Sequence, residues 1–327
     1  MTIPALKLTT FVPNCIITMY WKKPWFQFAI LMLLAFVWGS SFILMKIGLK
    51  SFTSYQAAAI RILLASLLLL PLSIRSMKQL RRRDLSSLLV AGFIGSFIPA
   101  FLFMKAQTQI DSALAGMLNS LTPVFTLIIG MLFMRTKTKW TQILGLILGL
   151  AGALGLISDG EMISLSNINS YSLYIVLATM CYATSVNVVK TKLTHLSGIQ
   201  ITSLSFMFLL PVSLIFLLTT DFQPVFASEG WIWHLSALAI LGIIGTALAM
   251  LLLNSLIRYT SAVFTSSVTY IIPIFAIIWG LVDGENITAL SLIFMSVILA
   301  GVYLINKRSK ANKSEPELIP GKNLKST

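Results

Sequence analysis

Residues 123–130 read PVFTLIIG and residues 273–280 read PIFAIIWG, so one apolar passage occurs twice in the chain. The proline, Phe125/Phe275, Ile128/Ile278 and Gly130/Gly280 recur at a spacing of 150. Upstream, Gly92 and Gly95 match Gly242 and Gly245 at the same spacing. Nearer the start of each half the spacing is 144: Trp38 meets Tyr182, Lys46 meets Lys190 and Gln56 meets Gln200. Both copies lie in long apolar runs, so two related halves are built into one hydrophobic chain.

Of the 327 residues, 57% are hydrophobic and 10% are charged, against about 25% charged in a soluble domain. Apolar runs of roughly 20 residues recur along nearly the whole length, enough to cross a hydrocarbon core of about 30 Å. The composition predicts a polytopic membrane protein with the lipid bilayer as its solvent. The net charge of +14 does not imply a nucleic-acid partner, because the basic residues sit in short loops between apolar spans. Cys15 and Cys181 are far apart and supply neither a disulfide framework nor metal-ligand spacing. The first span follows Lys22 and Lys23 and has no small-residue cleavage site after it, unlike a signal peptide. Residues 1–20 carry Pro4 and Pro13 without periodicity; they are either a short tail or an over-extended start ahead of Met19.

Spans are expected at 27–48, 56–74, 86–106, 111–133, 140–157, 170–189, 199–219, 234–256, 260–281 and 287–305. Backbone groups in lipid must bond internally, so spans of this length are helices. One set of connections carries Lys22, Lys23, Arg75, Lys78, Arg81–Arg83, Arg135, Lys137, Lys139, Lys190, Lys192, Arg258 and Lys307 onward. The other carries Lys50 and most of the acids: Asp159, Glu161, Asp221, Glu229, Asp283 and Glu285. By the positive-inside rule the first set, and both termini, are cytoplasmic. Trp21, Trp25 and Trp140 fall at the inner interface, and Trp231 and Trp233 at the outer one. The expected fold is all-α integral membrane, ten transmembrane helices as two five-helix repeats, 27–157 and 170–306. Five is odd, so the second repeat enters the membrane inverted, the arrangement that gives two shapes open to opposite sides. Residues 1–26 read as a cytoplasmic N-terminal segment and 307–327 as a disordered cytoplasmic tail.

WGSSFILMK at 38–46 in the first helix, Arg61 in RILLA, the proline-centred fourth and ninth helices and DGENIT at 283–288 form one pattern. In these motifs the chain resembles the drug/metabolite transporter superfamily, EamA type. The likeness covers roughly residues 27–306 and departs at MRTKTK, where Thr136 stands near a place that is commonly acidic in the family. The resemblance implies secondary transport of small metabolites, often export of amino acids or related compounds, across the cytoplasmic membrane.

The ionisable residues within spans are Lys46, Arg61 and Lys105, with Asp111 at a helix start. No Asp or Glu lies in the middle of a span, which argues against carboxylate-driven proton coupling. For Lys46 and Lys105 the favoured reading is snorkelling to the outer headgroups, with Asp111 pairing one of them. Arg61 lies deeper and keeps its charge; it either holds a substrate carboxylate or locks helices through backbone carbonyls. The uncharged polar candidates are Ser41, Asn119, Tyr182, Asn187, Asn254 and Tyr270, with Ser40, Thr184 and Thr269 in the same set. A span Ser or Thr commonly bonds its own backbone and a span Asn bonds a neighbouring helix. Asn119 and Thr269, however, each precede a proline by one turn, where a backbone carbonyl is freed. Trp38 and Tyr182, repeat equivalents, are expected to line a cavity or to pack helices. Gly145, Gly149 and Gly152 in span five, echoed by Gly301, allow close helix approach, either within the chain or as a homodimer face.

The cavity is expected among helices one, three, four, six, eight and nine, with Trp38, Ser41, Arg61, Asn119, Tyr182, Asn187, Asn254 and Tyr270 as the substrate-binding set. No catalytic residue, metal ligand or cofactor is expected. The leading reading is a secondary transporter of a small polar metabolite. The rival, a membrane enzyme acting on a lipid or lipid-linked substrate, needs a nucleophile, base or metal set that the sequence does not supply. No P-loop occurs, so ATP-driven pumping is not expected.

Overall fold

The structure is a computed structural model, and it describes residues 20–134, 138–157, 169–260 and 268–306. The expectations for the N-terminal segment before Tyr20, for Thr136, for Asp159 and Glu161 and for the tail from 307 lie outside the described residues. Every regular element among the described residues is helical.

The helices are α1 (Pro24–Gly48), α2 (Ser54–Ser76), α3 (Arg82–Ala106), α4 (Ser112–Asn119 and Thr122–Met134), α5 (Trp140–Ile157), α6 (Ser170–Lys192), α7 (Gly198–Leu218), α8 (Trp231–Tyr259), α9 (Val268–Val282) and α10 (Ala289–Asn306). Among the described residues eight stretches are long and apolar enough to cross a membrane, and α9 and α10 are shorter apolar helices. Pro24 sits in the first turn of α1, where its missing N–H costs no bond. α2 and α7 open on the same device 144 residues apart. Thr53 and Gln56 form a reciprocal capping box, and so do Ser197 and Gln200; each cap contributes about 1 kcal/mol.

Two local irregularities shape the interior. The first is at the prolines. Pro123 cannot donate to the Asn119 carbonyl, and α4 breaks there: Ser120 and Leu121 turn tightly onto Met117 and Leu118. The freed Asn119 carbonyl accepts the Thr122 hydroxyl at 2.9 Å. Pro273 instead lies inside a continuous α9. The carbonyl one turn upstream of it, on Thr269, accepts a long 3.5 Å bond from the Ser120 hydroxyl of α4. Thus the same residue interrupts one helix and is absorbed by the other.

The second irregularity is a widened, π-helical turn in α3 (Val90–Phe97) and another in α8 (Leu241–Leu248). Gly92 and Gly242 let these segments touch neighbouring backbones: a Cβ on Gly92 would meet the Ser205 carbonyl of α7, and one on Gly242 the Arg61 carbonyl of α2. Ser205 and Arg61 are themselves 144 apart, so one packing arrangement is made twice.

Elsewhere contact rests on dispersion between close backbones, as it must where no water is expelled. Gly145, Gly149 and Gly152 of α5 face Gly301, Val124 and Ile298, so this glycine face is occupied within the chain by α10 and α4. Leu34, Leu69, Phe103 and Phe206 are fully buried between helices. Large apolar side chains such as Phe133, Ile147, Leu218 and Ile293 cover the periphery, a surface suited to lipid tails.

Candidate functional site

A cavity of about 260 Å³ lies where α1, α2, α3, α4, α6, α8 and α9 meet. Its walls are mainly apolar, with Phe42, Met45, Ile62, Phe103, Met250 and Ile272 among them. Polar groups come from Ser41, Arg61, Ser96, Asn119, Tyr182, Ser185, Thr246 and Thr269. α2, outside the expected set of helices, enters through Arg61 and Ile62.

The widened turn of α8 organises the polar side. Thr246 donates to the Leu241 carbonyl five residues back, at 3.0 Å, a bond the π geometry makes available. The same hydroxyl accepts from Arg61 Nε at 2.8 Å. The Gly245 carbonyl, one residue earlier, accepts the Trp38 indole N–H at 3.0 Å. Gly242 brings the α8 backbone onto α2 at Arg61, close to the bond between Arg61 and Thr246. Arg61 is buried at 9% exposure, and its Nη1 has no hydrogen-bond partner.

Of the residues expected at this site, Trp38, Ser41, Arg61, Asn119 and Tyr182 stand in the cavity wall. Ser41 donates to the Val37 carbonyl of its own helix, 2.8 Å away. Asn119 forms no side-chain hydrogen bond among the described residues, at the place where α4 is broken. Tyr182 stacks on Phe103. Asn187 and Tyr270 correct the expectation that they face the cavity. The Asn187 amide donates to the Thr126 and Ala183 carbonyls at 3.1 and 2.9 Å, tying α6 to α4. The Tyr270 hydroxyl donates to the Val302 carbonyl at 2.8 Å, tying α9 to α10. The side chain of Asn254 lies outside the described residues. Ser96, Ser185 and Thr246 were not anticipated. Each had a signal: Ser96 and Thr246 directly follow the matched Gly95 and Gly245, and Ser185 is the 144-spaced partner of Ser41.

A second polar cluster closes one end of the bundle. Lys46 Nζ lies 2.6 Å from Asp283, 2.8 Å from Glu285 and 3.9 Å from Asp111. This corrects the snorkelling reading of Lys46, whose ammonium is held by carboxylates. Glu285 is 8% exposed, and its two oxygens accept the Ser112 and Ala113 N–H groups at 2.9 Å each, the first free donors of α4. Gly284, at φ +79°, turns the chain back so that Glu285 can reach inward. A Cβ on Gly280 would strike the Glu285 carboxylate. Burial and the neighbouring Glu285 and Asp283 charges push the Asp111 carboxyl above its ordinary range, against the pull of Lys46. Lys105 lies 5.8 Å over the Tyr171 ring.

The sequence profile described as the EamA-like transporter family matches residues 25–158 and 169–307. The chain belongs to that family. An uncharacterized inner membrane transporter of Escherichia coli K12, YedA, is 24% identical over 90% of this chain and 94% of its own length. A probable terminal-alkyne amino-acid exporter of Streptantibioticus cattleyicolor is 23% identical over 87% of this chain and 95% of its own. An uncharacterized transporter of Archaeoglobus fulgidus is 23% identical over 86% and 99%. Among the solved structures that match, one crystal structure has a TM-score of 0.57 at 14% identity, covering 84% of this chain and 94% of that one, a likeness of fold. With its many apolar helices, the chain is a multi-pass membrane protein of a transporter family.

Proposed function

We propose that the chain is a secondary transporter that exports a small polar metabolite, an amino acid or related compound, across the cytoplasmic (inner) membrane by alternating access. In this reading all ten helices cross the bilayer as two inverted five-helix repeats, 27–157 and 170–306, with both termini in the cytoplasm. The observation that carries it is the cavity itself. It is enclosed by helices of both halves, and each half contributes a widened turn with a matched glycine pair and an equivalent residue, Trp38 or Tyr182. Such a pseudo-two-fold around a buried site allows one site to open to either side. The relatives named as transporters, one of them an amino-acid exporter, support the solute class and the direction. Substrate binding is assigned to Trp38, Ser41, Arg61, Asn119 and Tyr182. The test is a comparison of extracellular metabolites between cells lacking the gene and cells overexpressing it. The account predicts a small polar solute that accumulates outside on overexpression and is retained inside on deletion; identical metabolite profiles would refute it.

A further inference from the structure

We infer that the cavity recognises its solute through one carboxylate seated on the Arg61 guanidinium, and that it offers no charged partner to an amino group. The substrate class is then a small amphipathic monocarboxylate, of which an α-amino acid is one case and its N-acylated or deaminated counterpart another. This rests on the transporter reading and sharpens it.

Arg61 is the first observation. A guanidinium has five N–H donors and cannot lose its charge. Here it is nine-tenths buried, and only Nε is bonded, to Thr246 at 2.8 Å. Nη1 has no partner, and Arg61 enters no ion pair among the described residues. A buried, unpaired cation in a membrane protein is costly, and the unmet donors define the missing group. The fork that remains after Nε is engaged suits the two oxygens of a carboxylate.

The rest of the wall is the second observation. Among the described residues lining the cavity, Arg61 is the single charged side chain. The carboxylates that gather at Lys46 belong to Asp111, Asp283 and Glu285, none of which lines the cavity. An ammonium group therefore meets no carboxylate in this wall, only uncharged groups. Trp38, Phe42, Phe103 and Tyr182 give the solute's body an aromatic wall. The volume of about 260 Å³ suits a small molecule.

The test uses the full-length protein in detergent and a probe series of one shape: leucine, N-acetylleucine, 4-methylpentanoate and leucinamide, with sodium chloride as the bodiless anion. Affinity is read from the ligand-induced rise in unfolding temperature. The three carboxylates should stabilise the protein, and leucinamide should bind about 10- to 100-fold more weakly, the loss expected for a charge-assisted pair. Arg61→Gln should remove the difference between acid and amide, and Arg61→Lys should restore only part of it. If the Arg61 variants do not fold, the wild-type comparison of acid with amide still decides. Equal stabilisation by leucinamide, stabilisation by chloride alone, or none by any carboxylate would overturn the inference. Efflux of labelled 4-methylpentanoate from vesicles separates the two claims. Binding that depends on Arg61 without efflux would refute transport and leave the carboxylate site. Efflux of acid and amide alike would do the reverse.

Discussion

Replacing Glu285 by alanine should be the most damaging single change at the end of the bundle that Lys46 closes. The carboxylate is almost wholly buried, at 2% side-chain exposure. Three groups lose a partner: the Ser112 and Ala113 N–H donors and one side of the Lys46 ammonium. Hydrogen bonds to a charged group contribute about 1.5–3 kcal/mol each, and leaving one member of a buried ionic contact unpaired costs about 3–5 kcal/mol. Lys46 keeps Asp283 at 2.6 Å, so the lower end applies, about 3 kcal/mol, or roughly 4 °C in unfolding temperature for a chain of this length. Glu285→Gln retains the shape and one acceptor and should lose about half as much. Asp283→Asn, at a site with 33% side-chain exposure, should cost under about 1 kcal/mol. Thermal unfolding of the three purified proteins in one detergent measures the order. If Glu285→Ala unfolds within a degree of wild type, or if Asp283→Asn is the more damaging, the reasoning about this cluster is wrong.

Further expectations follow from other elements. The Asp111 carboxyl is held above its ordinary value of 3.8, so its contribution to stability is full below that value and is lost as pH rises through the raised one. Asp111→Asn should flatten the slope of unfolding temperature against pH in that window, and an unchanged slope would contradict the assignment. Gly301→Leu places a side chain on the α5 backbone at Gly145 and Gly149; it should destabilise by at least about 1–3 kcal/mol, seen as reduced folded yield on gel filtration. Asn119→Ala and Tyr182→Ala should be made in normal amounts and export poorly. Normal export by both would remove them from the site. Reagents applied outside intact cells should label single cysteines at 221–230 and not at 76–84, and the reverse pattern would overturn the proposed orientation.

Much of the architecture was legible because lipid leaves the backbone few choices. Apolar length marked the helices, and the prolines repeated at a spacing of 150 marked where a backbone carbonyl is freed; the widened turns at the repeated glycines were not legible. What was not legible depends on rotation and on distance. Tyr182 and Asn187 are five residues apart, about 140° around a helix, so a wall containing Tyr182 turns Asn187 toward α4. The same rule links Trp38 with Ser41 and Tyr182 with Ser185, three residues apart on one face, and it places all four in the wall. Glu285 reads in sequence as a loop acid 239 residues from Lys46; only the turn at Gly284 brings it inside. Pro123 and Pro273 are equivalent letters in unequal settings, since Thr122 is placed to answer the carbonyl that Pro123 frees, whereas Ser120 reaches across from α4 to that of Thr269.

The central claim is that one cavity opens in turn to each side of the membrane. Ser41 lies in its wall and bonds only its own helix, and the chain has two native cysteines, Cys15 and Cys181, to be replaced by serine. In that background Ser41→Cys is exposed to a membrane-impermeant thiol reagent in right-side-out and in inside-out vesicles. Alternating access predicts labelling from both sides, with a saturating substrate shifting the balance between them. Labelling from one side only, under every condition, would contradict it.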